Sequence, residues 1–498
     1  MKAERKIYSL RVNTILNVVA TASTAVMTVL TVPYLSRVLS VEGNGAVSYT
    51  QSVAGWFLTF CVPGISLYGV RECARVRDDS RKLATLVCEL LIIITCCTCV
   101  SSLIFAMAIL GVPAFRQVSG LMWIFLIGNV LSAYGVEWFY QSIEQYAYIT
   151  IRTIVFKFLS IICVFCLVKT EDDYFLYGFL IAILSACNNL FNIARLAKLV
   201  DFKYVEKIRI ARHIKPLSFF FVAGLSTTVI TSLDTVLLGL FTTGTYQVGL
   251  YQFSMKCKNL FSAVINAVTN AMVPRVSYEE SQGHTQRRLD IWHKGFVLIV
   301  FFSLSLSVYV FIFADPIIDF TVTAKFSEAA TPLRLLCPLM VLMALNTYMS
   351  SMMLIPMKRE SVTTTVNAAG AIISVSLGCV FDHRYGANGA ASAVLIANIV
   401  IFLCLLHSTR TYWQSIGIGK NLLKLVLSTI IAGLCSMIGL VLSVHMGSFG
   451  ILLESSMSFW LVLLVSACMF KEESAITILR MAQATIGKMI RRIQTRTK

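Results

Sequence analysis

The chain is a succession of apolar stretches, each about as long as a bilayer is thick, separated by short connectors that hold nearly all of its positive charge. A membrane-spanning helix needs about 20 mainly apolar residues. Stretches of that kind lie near 12–35, 46–68, 84–110, 119–136, 151–168, 174–194, 217–240, 248–273, 295–318, 331–355, 362–381, 387–407, 423–444 and 449–469. Threaded back and forth as fourteen helices, they leave 33 of the 42 Lys and Arg residues on one side and six on the other. The remaining three, Lys157, Lys256 and Lys258, fall inside stretches. Short cytoplasmic loops retain Lys and Arg, so the bias predicts an all-α polytopic membrane protein of about 14 transmembrane helices with both termini in the cytoplasm.

Composition points the same way. With 57 % hydrophobic and 13 % charged residues among 498, the chain has too little polar surface to close around a soluble core. A net charge of +17 in a soluble protein would suggest nucleic acid. Here the charge sits in loops that face the anionic inner leaflet, where each basic residue is worth about 1 kcal/mol, and no nucleic-acid partner is expected. The fifteen cysteines, among them Cys96, Cys97, Cys99, Cys163, Cys166 and Cys404, lie mostly in apolar stretches without metal-site spacing and are expected to be small buried hydrophobes. Lys2, Arg5 and Lys6 precede the first stretch, which shows no clear cleavage site before its polar end, so it is read as a retained helix. The basic tail from Lys471 to Lys498 has apolar residues at intervals, as either an amphipathic surface helix or a solvated tail would.

The longest connector on the basic side, 195–216, divides the first twelve helices into two sets of six. The expected organisation is an N-terminal lobe 1–195, a basic linker 196–216, a second lobe 217–407, two further helices in 408–470 and a tail 471–498. Gly45 and Gly249 recur at an offset of 204 residues, as do Arg71 and Arg275. Repeats of an even number of helices are related by an axis along the membrane normal, and transporters built that way bind substrate between the halves.

Charges inside a bilayer cost at least ~2.5–3.5 kcal/mol and so face a bundle interior or a wet cavity. Lys157 lies a turn and a half inside its helix and has no obvious acidic partner at its depth, which points to a cavity. Asp234 and the pair Lys256 and Lys258 fall at similar depths on consecutive helices, so an ion pair joining those helices is open beside a cavity-lining role. Glu89 and Asp234 are the candidates to carry a coupling proton, or to be structural. A cationic interior would suit a phosphate or pyrophosphate group.

Other chemistry is not signalled. The histidines, His213, His284, His293, His383, His407 and His445, lack metal-ligand spacing and are expected in solvated or interfacial positions. Asp78-Asp79 and Asp172-Asp173 read as solvated loops, and no phosphate-binding loop of the G-x-x-x-x-G-K-[ST] type occurs. Neither a metal, a cofactor nor enzymatic activity is expected, and transport would have to draw on gradients or the membrane potential.

Several segments resemble the polysaccharide-transport branch of the multidrug, oligosaccharidyl-lipid and polysaccharide exporter superfamily, which includes O-antigen flippases. They are Pro33 to Leu39, Gly64 to Glu72, Glu137 to Gln141 with Glu144, Tyr146 and Arg152, His213 to Pro216, Asp234 with Gly239, Val248 to Tyr251, Val273 to Tyr278 and Tyr385 to Ala390. The resemblance implies two pseudo-symmetric six-helix lobes around a central cavity, with two C-terminal helices added. It implies alternating access in a bacterial cytoplasmic membrane, with a polyprenyl-pyrophosphate-linked oligosaccharide as substrate and H+ or Na+ as coupling ion. Membrane lipids and polysaccharide polymerase or assembly proteins are the implied partners. By the same resemblance Arg37, Arg152, Lys157, Lys256 and Lys258 would contact the pyrophosphate or sugars. Asn398 departs from the acidic residue of many relatives, which puts a coupling role for helix 12 in doubt.

A drug exporter of the same superfamily would favour an acidic or aromatic cavity. A membrane-embedded polymerase would carry a large outer loop, whereas no outer loop here exceeds about a dozen residues. A scaffold for glycan synthesis is the remaining alternative.

Overall fold

The computed structural model describes residues 23, 26–322, 324–416, 419–442 and 447–471. The basic tail beyond 471 and the first half of the first apolar stretch lie outside the described residues. Among the described residues all regular structure is helical. In chain order the helices are α1 (Val26–Val38), α2 (Val41–Cys61), α3 (Ile65–Val76), α4 (Ser80–Gly111), α5 (Ser119–Ala133), α6 (Glu137–Ser142), α7 (Tyr146–Leu167), α8 (Tyr174–Leu199), α9 (Ala211–Phe241) and α10 (Tyr246–Ser281). They continue as α11 (Thr285–Ile312), α12 (Ala314–Thr321), α13 (Ala330–Thr347), a π-helical turn (Tyr348–Leu354), α14 (Glu360–Ile416), α15 (Gly419–Leu442) and α16 (Ser448–Met469).

This is an all-α polytopic membrane protein. Among the described residues ten helical segments are long and apolar enough to cross a membrane, and α9, bent by 56°, makes an eleventh. The fourteen apolar stretches map onto these helices with three adjustments, each with a physical cause. Only the second part of the first stretch is described, as α1. The helix α10 is 36 residues long, but Gln252, Lys256, Lys258, Asn259 and Asn266 dilute its hydropathy. The eleventh and twelfth stretches run together as α14, which is two helices broken at Gly386, where φ is +53°. Only glycine adopts that left-handed conformation readily. Gln247 Oε1 accepts from the Ala387 N–H at 2.9 Å and so caps the second helix. A Cβ at Gly389 would strike the Phe381 carbonyl, and one at Gly370 would strike Ile401, so the two helices fold back against each other as a hairpin.

The chain divides into two compact units, Met1–Gln252 with Gly378–Ala390, and Phe253–Leu377 with Ala391–Lys498. In the first unit α2 is central and packs on α4, α5, α8 and α9, while α3 packs on α4, α6 and α9. In the second, α11 packs on α13 and α15, and α15 on α16. The fully buried Trp292 donates to the Met352 carbonyl at 2.8 Å, and Tyr348 donates back to the Trp292 carbonyl at 2.9 Å, tying α11 to the π-helical turn. Lipid supplies no hydrogen bonds, so buried hydroxyls turn back on their own helices. Thr50, Thr269, Thr429 and Ser436 each donate to the carbonyl four residues earlier. All fifteen cysteines are free, and Cys96, Cys99, Cys166 and Cys404 are exposed on helix exteriors rather than buried, because lipid accepts them as readily as a core does.

The two glycines that share the 204-residue offset meet each other. A Cβ on Gly45 would collide with the Thr245 carbonyl and come within 2.8 Å of the Gly249 nitrogen, and a Cβ on Gly249 would collide with the Val41 carbonyl. Each glycine therefore faces the carbonyl four residues ahead of the other. This reciprocity is the signature of a local two-fold axis. Thr245 Oγ1 adds a hydrogen bond to the Glu42 carbonyl at 2.8 Å. Backbone cannot move aside as a side chain can, so Gly45→Ala and Gly249→Ala are each expected to lower stability by about 1–3 kcal/mol or prevent folding. Gly55→Ala, on the open side of α2, is the control. Thermal unfolding of the detergent-purified protein measures all three, and equal melting temperatures would show that the crossing tolerates a methyl group.

Candidate functional site

Two clusters of buried polar groups form in the first unit. In one, α9 supplies Asp234, the first turns of α10 supply Tyr251 and Gln252, and the hairpin of α14 supplies Asp382. The hydroxyl of the fully buried Tyr251 donates to Asp234 Oδ2, and the Thr235 N–H donates to Asp234 Oδ1 at 2.7 Å. Gln252 Nε2 in turn donates to Thr235 Oγ1. Asp382 is 1 % exposed, and neither of its carboxylate oxygens receives a hydrogen bond from the described residues. The charge on Asp382 is felt together with that on Asp234. A carboxylate shut away without donors is costly in its charged form and is relieved by taking up a proton or a cation. No group of three or more His, Cys, Asp or Glu residues suited to a metal ion occurs among the described residues.

The second cluster is built on Glu89, in α4, which has no exposed surface. Its Oε1 accepts from the Arg209 N–H at 2.6 Å, and its Oε2 receives the Arg212 guanidinium and lies 2.9 Å from His213 Nε2. The other ring nitrogen of His213 is 2.6 Å from the Tyr68 hydroxyl. His213 is 2 % exposed, which corrects the expectation of a solvated or interfacial histidine: the start of α9 lies against α3 and is tied to Glu89 of α4, not in water. Above this cluster is an open pocket of about 670 Å³ lined by residues of α3, α4, the linker and α9. Asp79 caps α4, accepting from the N–H groups of Arg81 and of Lys82, which lines the pocket, and the Lys82 N–H holds the Asp79 carboxyl below the usual range.

Of the cationic candidates, Arg37 is exposed near the end of α1. Arg152 is 8 % exposed, and its Nη2 pairs with Glu137 Oε1 at 2.9 Å while its guanidinium lies over the Tyr148 ring. Lys157, deeper in α7, also lies within electrostatic reach of Glu137. That short helix α6 supplies the acidic neighbour that sequence did not reveal. The surrounding segment has structural work besides: Glu144 pairs with Arg77 at 2.7 Å and Tyr140 donates to the Asn192 carbonyl at 2.7 Å. In the second unit Lys258 is 2 % exposed with Nζ 3.5 Å from Met343 Sδ, whereas Lys256, two residues earlier on α10, is half-buried on another face. The partners shown for Asp234 are Tyr251 and Thr235. Asp382 escaped the sequence reading because it stands beside His383 and Arg384 and reads as a polar connector. Its signal was the glycine pair Gly386 and Gly389, which allows a tight hairpin.

Residues 10–278 match the family model described as polysaccharide biosynthesis protein, and residues 220–380 match the MatE model. A relative from Escherichia coli (strain K12) named "Putative O-antigen transporter" is 24% identical over 411 residues, covering 81% of this chain and 97% of the relative. One from Shigella dysenteriae with the same name is 23% identical, covering 76% and 94%. Among solved structures, the lipid II flippase MurJ in an inward closed conformation superposes with a TM-score of 0.64 at 15% identity, covering 92% of this chain and 98% of that one. An inward-facing multidrug resistance MATE family transporter gives 0.58 at 12% identity, covering 78% and 98%. These two likenesses speak for the fold. With more than half its length matched by the family model, the chain belongs to the polysaccharide biosynthesis protein family, in the polysaccharide branch of the multidrug, oligosaccharidyl-lipid and polysaccharide exporter superfamily.

Proposed function

We propose that this protein is a flippase that moves a polyprenyl-pyrophosphate-linked oligosaccharide repeat unit, of O-antigen, capsule or exopolysaccharide, across the bacterial cytoplasmic membrane by alternating access, without covalent chemistry. The observation that carries the reading is family membership joined to near-complete coverage of relatives named as O-antigen transporters. Buried cations in spanning helices fit it, since a desolvated pyrophosphate needs opposite charge along its path. The lobes are 1–195 and 217–407, with 408–470 added and both termini on the cytoplasmic side. Arg37, Arg152, Lys157, Lys256 and Lys258 meet the pyrophosphate or the sugars. Asp234, with Asp382, exchanges the coupling H+ or Na+, while Glu89 holds the linker through Arg212 and His213. An inside-negative potential aids export by ~2.3 kcal/mol per net negative charge per 100 mV.

Three outcomes are expected. Deletion in the native host removes surface polysaccharide and leaves complete lipid-linked units facing the cytoplasm; complete but unpolymerised units in the outer leaflet would instead identify a polymerase, and unchanged polysaccharide a drug exporter. Lys157→Ala abolishes export with unchanged protein in the membrane, and normal export would remove Lys157 from the path. Asp382→Asn, which preserves size and removes the titrating group, is expected to cut gradient-driven translocation in proteoliposomes at least tenfold. A variant that still responds fully to an imposed pH or sodium gradient would rule out this pair as the coupling site.

A further inference from the structure

The first turns of α9 have two open faces of opposite character. Arg209, Arg212, His213 and Pro216 line the 670 Å³ pocket above Glu89. Ile210, Ile214, Leu217 and Phe221, about a third of a turn round the helix, line a second, almost wholly apolar groove of about 320 Å³ against Ile93 and Cys96 of α4. The helix α4 borders both: Lys82 and Thr85 belong to the pocket and Ile92 to Cys97 to the groove. At ~1.5 Å per residue, the seven to fifteen residues between head and tail positions span roughly 10–22 Å along α4, comparable to the depth of one leaflet.

Charge decides what the pocket takes. Arg71, Arg75, Lys82, Lys207, Arg209 and Arg212 surround it, against the acidic Glu72 and Glu206. The exposed pairs of Glu72 with Arg71 and Arg75, and of Asp79 with Lys82, are weak and open to exchange. Arg71 is steadied by the Tyr68 and Phe220 rings, at 5.5 and 5.0 Å, which leaves its planar donors available to an oxyanion. A soluble anion would use the pocket and leave the groove empty, and a hydrocarbon would do the reverse. Basic pockets between spanning helices are the usual seats of lipid phosphates.

We infer that the pocket and groove on either side of α9 form one binding site for a lipid with a phosphate headgroup, the phosphate held by Arg71, Arg75 and Lys207 and one chain lying along Ile93, Cys96 and Ile214. The site lies wholly within the first unit and does not depend on what the protein transports. It makes the linker lipid-responsive, because the residues that fix the linker to Glu89 also line the headgroup pocket.

The test uses the full-length protein in neutral detergent and counts bound lipid by native mass spectrometry, with dioleoyl phosphatidic acid, dioleoyl phosphatidylcholine and glycerol 3-phosphate as probes. One phosphatidic acid is expected to bind saturably, at least tenfold more tightly than phosphatidylcholine. The triple variant Arg71→Gln, Arg75→Gln, Lys207→Gln is expected to lose that preference, and Ile214→Asn, at a 62 % exposed position, to weaken binding several-fold. Neither removes a hydrogen bond to Glu89, and a melting temperature equal to that of the unaltered protein checks that each variant folds. A photoreactive chain on phosphatidic acid should label 92–97 or 210–221. Equal affinity for phosphatidylcholine, labelling elsewhere, or an equal loss on removing Arg116, Lys169 and Lys325 instead would overturn the assignment. Competition by glycerol 3-phosphate at the same concentration as phosphatidic acid would also overturn it, and would leave only a soluble-anion pocket.

Discussion

Glu89 binds three donors that all come from the five residues Arg209 to His213, at a depth in α4 nine residues past its start. Taking a carboxylate out of water costs several kcal/mol unless it is paired and fully hydrogen-bonded, so the arrangement exists only if all three donors arrive together. Their arrival fixes the course of a basic linker that would otherwise be free in water. Glu206 is pinned at the same time, its N–H donating to Thr85 Oγ1 at 3.0 Å. The start of α9 is thereby set against α3 and α4, with Tyr68 closing the network through His213.

The placement of helices was legible from the chain because the bilayer imposes a strict demand: every backbone group must be satisfied within the helix, so apolar length translates directly into a span. Partnerships between helices were not legible. Lys157 looked isolated because Glu137 is twenty residues away and sits on a six-residue helix that no periodicity announces. His213 looked solvated because it follows a run of basic residues, yet the linker folds down and buries it. Asp382 shows the same limit most sharply, since its neighbours His383 and Arg384 are exposed while it is not.

Motifs that carried the family resemblance acquire separate physical reasons. In the Tyr385 to Ala390 segment, Gly386 supplies a left-handed turn, Ala387 receives a side-chain cap and Gly389 allows backbone to approach backbone. In the Glu137 to Arg152 segment, one charge pair joins α6 to α7 and another joins the connector between them, through Glu144, to Arg77 at the end of α3. Some of what carries the resemblance is therefore scaffold.

The reciprocal meeting of Gly45 and Gly249 has one more consequence. The nearest atom that a methyl group on either glycine would strike is a main-chain carbonyl oxygen, which a side-chain substitution elsewhere does not move. Both sides of the crossing use the same residue in the same relation to its partner. Two identical shorter chains could form this crossing as a homodimer with one glycine apiece, and joining them end to end would preserve the contact without altering either surface.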